Sequence, residues 1–233
     1  MEIRINKYLS EAGVCSRREA DRLLQQGRVR IDDELAQMGS KVTDGQTVYV
    51  DGCAIALEEE DILLVFNKPV GIVCTTTDKQ GKNNIVDYIG YPKRIYPIGR
   101  LDKDSNGLIL MTNNGEISDK ILRSVNGHEK EYVVTVNKDI DTTFIKKMSG
   151  GLYLKELERT TKPCKVYKEG KRTFRIVLTQ GLNRQIRRMC ETLGYRVMKL
   201  ERIRIMNILL GDLPEGSYRD VTPQEYEDLK KQL

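Results

Sequence analysis

The chain has 233 residues, with 39 Lys or Arg against 34 Asp or Glu, a formal charge of +5, one histidine and no tryptophan. That length buries one large core or a small and a medium one, and so modest a charge does not by itself define a nucleic-acid partner. Cysteines at 15, 53, 74, 164 and 190 never reach Cys-x-x-Cys spacing, and His128 stands alone, which argues against zinc ribbons, histidine-based triads and metal clusters. Scattered thiols fit a reducing cytosol. Early charges at Glu2, Arg4 and Lys7, with no apolar run of about 18 residues, fit a cytoplasmic protein without a membrane span, read as a monomer.

In chain order, Ile5, Tyr8, Leu9 and Ala12 recur at helical spacing until Gly13, which predicts a short amphipathic helix. Ser16-Arg17-Arg18-Glu19 reads as a capping box opening a second helix that Gly27 ends. Ala20, Leu23 and Leu24 share its buried face, leaving Arg18 and Arg22 outward and four apart. Such a like-charged pair costs an isolated helix roughly 0.2–0.5 kcal/mol, so an external anion is one reason for it and a solvated face the other. Val29, Ile31 and Thr47-Val48-Tyr49-Val50 follow as short strands between Asp- and Gly-rich turns.

Charge is unevenly spread. Residues 1–30 carry a net +3, residues 31–60 a net −7, and residues 175–204 a net +6. The run Glu58-Glu59-Glu60-Asp61 precedes the apolar Ile62-Leu63-Leu64-Val65-Phe66, placing a junction near residue 58, with domains over 1–58 and 59–233.

In the second part, the apolar strand enters the turn Asn67-Lys68-Pro69-Val70-Gly71. A polar loop, Gly99-Arg100-Leu101-Asp102-Lys103-Asp104-Ser105-Asn106-Gly107, leads into the buried strand Leu108-Ile109-Leu110-Met111. Asp102, Asp104, Asn106 and Gly107 match the first half of a calcium loop, but Asn113 replaces its bidentate Glu and Pro97 stands where a helix should enter. Tyr132-Val133-Val134-Thr135-Val136 reads as a strand. On a helix opened by Asn183 and closed by Gly194, Ile186, Met189, Cys190 and Leu193 are inward. Arg184 and Arg188 lie opposite and Arg187 at the border. Thr222-Pro223-Gln224-Glu225 caps a short terminal helix through Leu229 that packs on the second domain.

Arg4-Ile5-Asn6-Lys7-Tyr8-Leu9, Cys15-Ser16-Arg17-Arg18-Glu19-Ala20 and Gly27-Arg28-Val29 resemble the S4 RNA-binding domain. The resemblance implies structured RNA held through phosphates by Arg4, Lys7, Arg17, Arg18, Arg22 and Arg28. The loop around Asp102, together with Asn67-Lys68-Pro69-x-Gly71, Lys130-Glu131-Tyr132 and Leu182-Asn183-Arg184-Gln185-Ile186-Arg187-Arg188-Met189, resembles the pseudouridine synthases that modify ribosomal RNA and carry an S4 domain. Cys74 departs from a frequent serine and Asn114 from a frequent aspartate.

The resemblance implies an α+β protein: an S4 module of the alpha-L type, then a catalytic domain on a largely antiparallel mixed sheet. It implies isomerisation of a uridine in 23S rRNA, with 16S rRNA or tRNA as alternative targets. A non-catalytic S4 ribosome-assembly protein is the rival reading. The reaction exchanges a C1′–N1 bond for C1′–C5 and needs no cofactor. Asp102 is the implied catalytic carboxylate, attacking C1′ or taking a proton from C2′. Arg187 is the cation beside it, and Tyr132 presents its ring and hydroxyl to a flipped uracil. Arg100 holds the extruded nucleotide or fills the space it leaves, Ile186 packs the uracil edge, Lys68 meets phosphate, and Arg184 and Arg188 stay free for phosphate. His128 is RNA-proximal or structural.

Overall fold

The computed structural model describes residues 2–57, 60–76, 83–123 and 127–233. The acidic junction at Glu58 and Glu59 lies outside the described residues. The chain packs as two units: Met1–Ile62 with Tyr91–Ile95 and Asn113–Gly115, and Leu63–Gly90, Tyr96–Thr112 and Glu116–Leu233.

The first unit contains β1 (Glu2–Arg4), α1 (Ile5–Glu11), α2 (Arg17–Gln25), β2 (Val29–Ile31), β3 (Glu34–Leu35), β4 (Lys41–Thr43), β5 (Val48–Val50) and β6 (Cys53–Ile55). Ile5 and Leu9 of α1 and Ala20, Leu23 and Leu24 of α2 meet Val29, Ile31, Val42 and Val48 in one core. The apolar spacing therefore produces the helix pair, and the alternation of β2 closes the core beneath it. At Ser16 only half of the capping box forms. Ser16 Oγ accepts from the Glu19 amide at 3.2 Å, but the Glu19 carboxylate turns to Arg22 at 2.8 Å. The strands order as β3-β2-β5-β6, with β1 paired to β4.

Among the described residues the second unit is built on a sheet of nine strands: β7 (Leu63–Lys68), β8 (Tyr96–Ile98), β9 (Asn106–Thr112), β10 (Lys130–Val136), β13 (Lys165–Lys168), β14 (Thr173–Leu178), β15 (Val197–Ile205), β16 (Ile208–Leu209) and β17 (Tyr218–Asp220). A small hairpin, β11 (Tyr153–Leu154) with β12 (Arg159–Thr160), stands apart from that sheet. The main order is β13-β14-β10-β15-β9-β7-β17, with β8 beside β9 and β16 beside β15. All pairings are antiparallel except β15 with β9, where Glu201 and Arg202 lie opposite Asn106 and Gly107. The sheet is thus mixed and largely antiparallel.

Among the described residues four longer helices pack on this sheet, α4 (Gly115–Leu122), α5 (Thr142–Gly150), α6 (Gln185–Thr192) and α7 (Pro223–Lys230), and a shorter α3 spans Ile85–Ile89. One core joins Val134, Phe144, Met148, Phe174, Ile186, Met189 and Leu200. A second joins Leu63, Val65, Leu108, Leu110, Ile121, Ile205 and Leu229. The unbroken apolar run of β9 suits a strand covered on both faces. At Thr222 both halves of a capping box are present and Pro223 occupies the first turn, so α7 begins where its sequence signal lies and buries Leu229.

Candidate active site

The loop from Arg100 to Ser105, between β8 and β9, is pinned from several directions. The Leu101 amide donates to Cys74 Sγ at 3.3 Å, the Gly71 amide to the Lys103 carbonyl at 2.7 Å, and the Ser105 amide to the Asp102 carbonyl at 3.1 Å. From the end of β7, Lys68 Nζ donates to the carbonyls of Pro69 at 2.7 Å and Ser105 at 2.8 Å.

Lys68 therefore does not meet phosphate. The Asn-Lys-Pro segment reads as a turn in sequence, but β7 continues through Lys68, whose side chain is fully buried. Burial pushes its ammonium pKa down, and the two carbonyls satisfy the charge locally. Its role is to hold the loop.

Asp102, 31 % exposed at its side chain, faces two guanidinium groups. Arg184 Nη1 lies 3.5 Å and Arg187 Nε 3.9 Å from its Oδ2. Arg187, almost wholly buried, also donates through Nη2 to the Asp104 carbonyl at 2.8 Å and Ser105 Oγ at 3.1 Å. Its Nε has no hydrogen-bond partner among the described residues. Arg184 grips Asp104 through two bonds of 3.2 and 3.1 Å. Burial raises the Asp104 pKa, but the Arg184 hydrogen bond and the charge of Arg187 outweigh it and hold the carboxyl below the usual range.

Two expectations about α6 need correction. Its first residue is Gln185, and Arg184 caps it in a left-handed conformation with φ 49°. That backbone turn carries Arg184 toward the two aspartates, so it is not free for phosphate. Arg188 is also engaged. It forms an ion pair with Glu156 and donates to the Asn183 carbonyl at 3.1 Å and to Asn183 Oδ1 at 3.2 Å. The helical projection places Arg187 correctly at the border of the buried face, but it carries no information about the partners of its neighbours.

A cavity of about 790 Å³ opens beside Asp102, within the size range of small-molecule sites. Tyr132, Ile186, Arg187 and Arg100 line it, as do Lys130 and Arg202. Tyr132 projects from β10, directly across from Arg202 on β15. Arg100 is exposed and makes no hydrogen bond or ion pair among the described residues. His128 is buried, with Nδ1 3.1 Å from the Ile121 carbonyl and Nε2 3.3 Å from that of Gln232, a structural placement at the cavity wall. The sequence assigns no site role to Asp104, Ser105, Lys130 or Arg202, although the first three stand within its motifs. Lys130 carried a usable signal, since two residues from Tyr132 on a strand is the same face.

In the first unit the six candidate RNA contacts divide. Arg4, Arg17 and Arg18 are exposed, and no hydrogen bond or ion pair engages their side chains among the described residues. Arg17 and Arg18 also stand in the first turn of α2, where the helix dipole disfavours cations. Lys7 pairs with Glu11 at 3.5 Å and Arg22 with Glu19. Arg28 is clasped by Asp51, with Nε to Oδ1 at 2.8 Å, because the turn after β5 presents that carboxylate directly to it.

Among the described residues no helix is long and apolar enough to cross a membrane, and no His, Cys, Asp and Glu cluster could hold a metal ion. The family model for RNA pseudouridylate synthase matches residues 62–192, and that of the S4 domain matches residues 3–48. The chain is 55 % identical over 230 residues to the dual-specificity RNA pseudouridine synthase RluF of Salmonella typhi, covering 98 % of this chain and 78 % of that one. It is 35 % identical to ribosomal large subunit pseudouridine synthase B of Bacillus subtilis, over 97 % and 95 % of the two chains. A crystal structure of a pseudouridylate synthase superposes with a TM-score of 0.72 at 28 % identity, covering 97 % of this chain and 99 % of the other. With an S4 domain before the catalytic fold, this chain belongs to the RNA pseudouridylate synthase family and is an RNA pseudouridine synthase.

Proposed function

We propose that the enzyme isomerises a uridine of 23S rRNA in the cytoplasm, as a monomer and without a cofactor, with Asp102 as the catalytic carboxylate. The observation that carries this reading is the position of Asp102 beside a cavity of about 790 Å³, next to two guanidinium groups and on a loop pinned by Lys68 and Cys74. A carboxylate that must act as an anion near RNA phosphates needs such cations. It attacks C1′ or removes the C2′ proton, and in either case the C1′–N1 bond breaks and C5 then bonds to C1′. Tyr132 supplies a ring for the extruded base, Ile186 packs its edge, and Arg100 holds the extruded nucleotide or fills the space it leaves.

Residues 1–58 hold the RNA and residues 59–233 perform the chemistry. Large-subunit RNA is the target because one similar protein is named for the large ribosomal subunit. The dual specificity named for another supports a second RNA target, for which tRNA is the candidate.

The test is incubation of the purified chain with unmodified 23S rRNA and tRNA, followed by carbodiimide primer extension. We expect a discrete pseudouridine stop whose rate of appearance falls at least about a thousandfold in Asp102→Asn. Full activity of that variant would remove Asp102 from the mechanism, and RNA binding without any stop would favour the non-catalytic rival.

A further inference from the structure

Besides the exposed Arg100, two buried or half-buried positive side chains line the cavity with no carboxylate paired to them among the described residues. Arg202 is 3 % exposed. Its Nε donates to the Leu108 carbonyl at 2.6 Å, while its Nη2 is buried without a hydrogen-bond partner among the described residues. Lys130 is half-buried and has neither a hydrogen bond nor an ion pair among the described residues. Burial and then the nearby Arg202 charge push its ammonium pKa down. Cross-strand register puts Tyr132 opposite Arg202, and Lys130 lies two residues from Tyr132 on the same face of β10. All three side chains line the same wall.

Burying like charges together is costly unless something negative joins them. Asp102 and Asp104 are already engaged by Arg184 and Arg187, so the missing negative charge comes from outside the protein. A backbone phosphate is bulky and hydrated and belongs at the rim. The group that enters beside Tyr132 is the base.

Resting on the proposed function, we propose that Lys130 is a further catalytic residue, which with the adjoining charge of Arg202 holds the detached uracil as its anion. When C1′–N1 breaks, its electron pair stays with the ring, and the negative charge spreads over N1, O2 and O4. Lys130 neutralises that charge while the ring turns. Bonding of C5 to C1′ uses the ring electrons, the C5 proton leaves, and N1 gains a proton, so nothing is gained or lost overall. A cation placed where charge develops, and absent from the demands of the neutral bound base, stabilises the intermediate selectively.

The test compares the full-length enzyme with Lys130→Met and Lys130→Arg on one rRNA fragment, made with uridine or with 5-fluorouridine at the target position. Fluorine withdraws electrons and makes the ring a better leaving anion, so it relieves the need for Lys130. Single-turnover consumption of the target nucleoside is read after nuclease digestion, beside RNA affinity and the thermal melt. We expect Lys130→Met to slow uridine consumption about a hundredfold, with affinity within twofold of the parent. The slowing should be at least tenfold smaller on 5-fluorouridine, and Lys130→Arg should restore most of the rate.

Equal slowing on both substrates would overturn the proposal. So would a loss confined to affinity with a flatter salt dependence, which marks a phosphate contact, or a folded Lys130→Arg as slow as Lys130→Met. If Lys130→Met does not fold, the comparison rests on Lys130→Arg and Arg202→Lys, whose rates must stay closer to the parent on 5-fluorouridine than on uridine. Should the parent produce no pseudouridine, or Asp102→Asn remain active, the underlying reading fails instead.

Discussion

At Gly107 the backbone has φ 101°, and a Cβ there would sit 2.7 Å from the Arg202 amide nitrogen and closer still to its carbonyl oxygen. The parallel pairing of β9 with β15 is made by Asn106 and this residue, immediately after the loop that carries Asp102. Gly107→Ala should lower stability by about 2–3 kcal/mol, read from urea melts, and should reduce turnover further by displacing Arg202 and the loop. At this scale the sequence was legible where a residue's place follows from periodicity. Arg187 at the edge of α6 and Leu108 to Met111 in a covered strand are such cases. It was illegible where a partner comes from far along the chain. Nothing near Lys68 announces the Ser105 carbonyl that buries it, and nothing near Arg184 announces a left-handed turn toward Asp104.

Strand β10 joins its neighbours through the charges on the face away from the cavity as well as through backbone bonds. Glu131, 7 % exposed, accepts from Arg175 Nη1 at 2.9 Å on β14 and from Arg204 Nε at 2.5 Å on β15. Burial raises the Glu131 pKa, but the hydrogen bonds from Arg204 and Arg175 outweigh that and hold it below the usual carboxylate range. A depressed folded-state pKa contributes stability above the unfolded value and loses it as pH falls through the folded one. Glu131→Gln should therefore cost about 2 kcal/mol at pH 7. That deficit should shrink as pH falls below the ordinary glutamate value of about 4.3, and urea melts at pH 7 and pH 3 will show whether it does. The elements themselves were readable from capping signals and apolar runs, α7 most clearly. Their order in the sheet was not, because a strand's sequence states which face is apolar but not which strand lies beside it.

Across the whole molecule the net charge of +5 conceals opposed regions, and many of the cations already have partners within the chain. Lys7, Arg22, Arg28, Arg184 and Arg188 each face a carboxylate, whereas Arg4, Arg17 and Arg18 face none among the described residues. The double substitution Arg17→Ala with Arg18→Ala should weaken RNA binding and flatten the dependence of log affinity on log salt by about 0.7–0.9 for each phosphate that is no longer neutralised. The melting temperature should stay the same, since both side chains are exposed. An unchanged salt slope, measured by filter binding across a salt series, would remove the start of α2 from the RNA footprint. Composition could count these charges but could not say which were paired, because pairing depends on residues 23 positions apart for Arg28 and 80 for Arg184.

Strand β15 is the last long strand in the chain, yet it lies between β10 and β9 at the middle of the sheet. Its Leu200 belongs to one core and its Ile205 to the other. Neither half of the sheet can close on its counterpart until this segment has been synthesised, and such distant pairings form slowly because a long loop must be closed first. The Asp102 loop abuts this same strand at Gly107, so competence should arrive at the end of folding. During refolding from urea, single-turnover activity should return with the slowest phase and trail the recovery of backbone structure seen by circular dichroism. A chain that lacks residues 197–205 should therefore be unable to act on RNA.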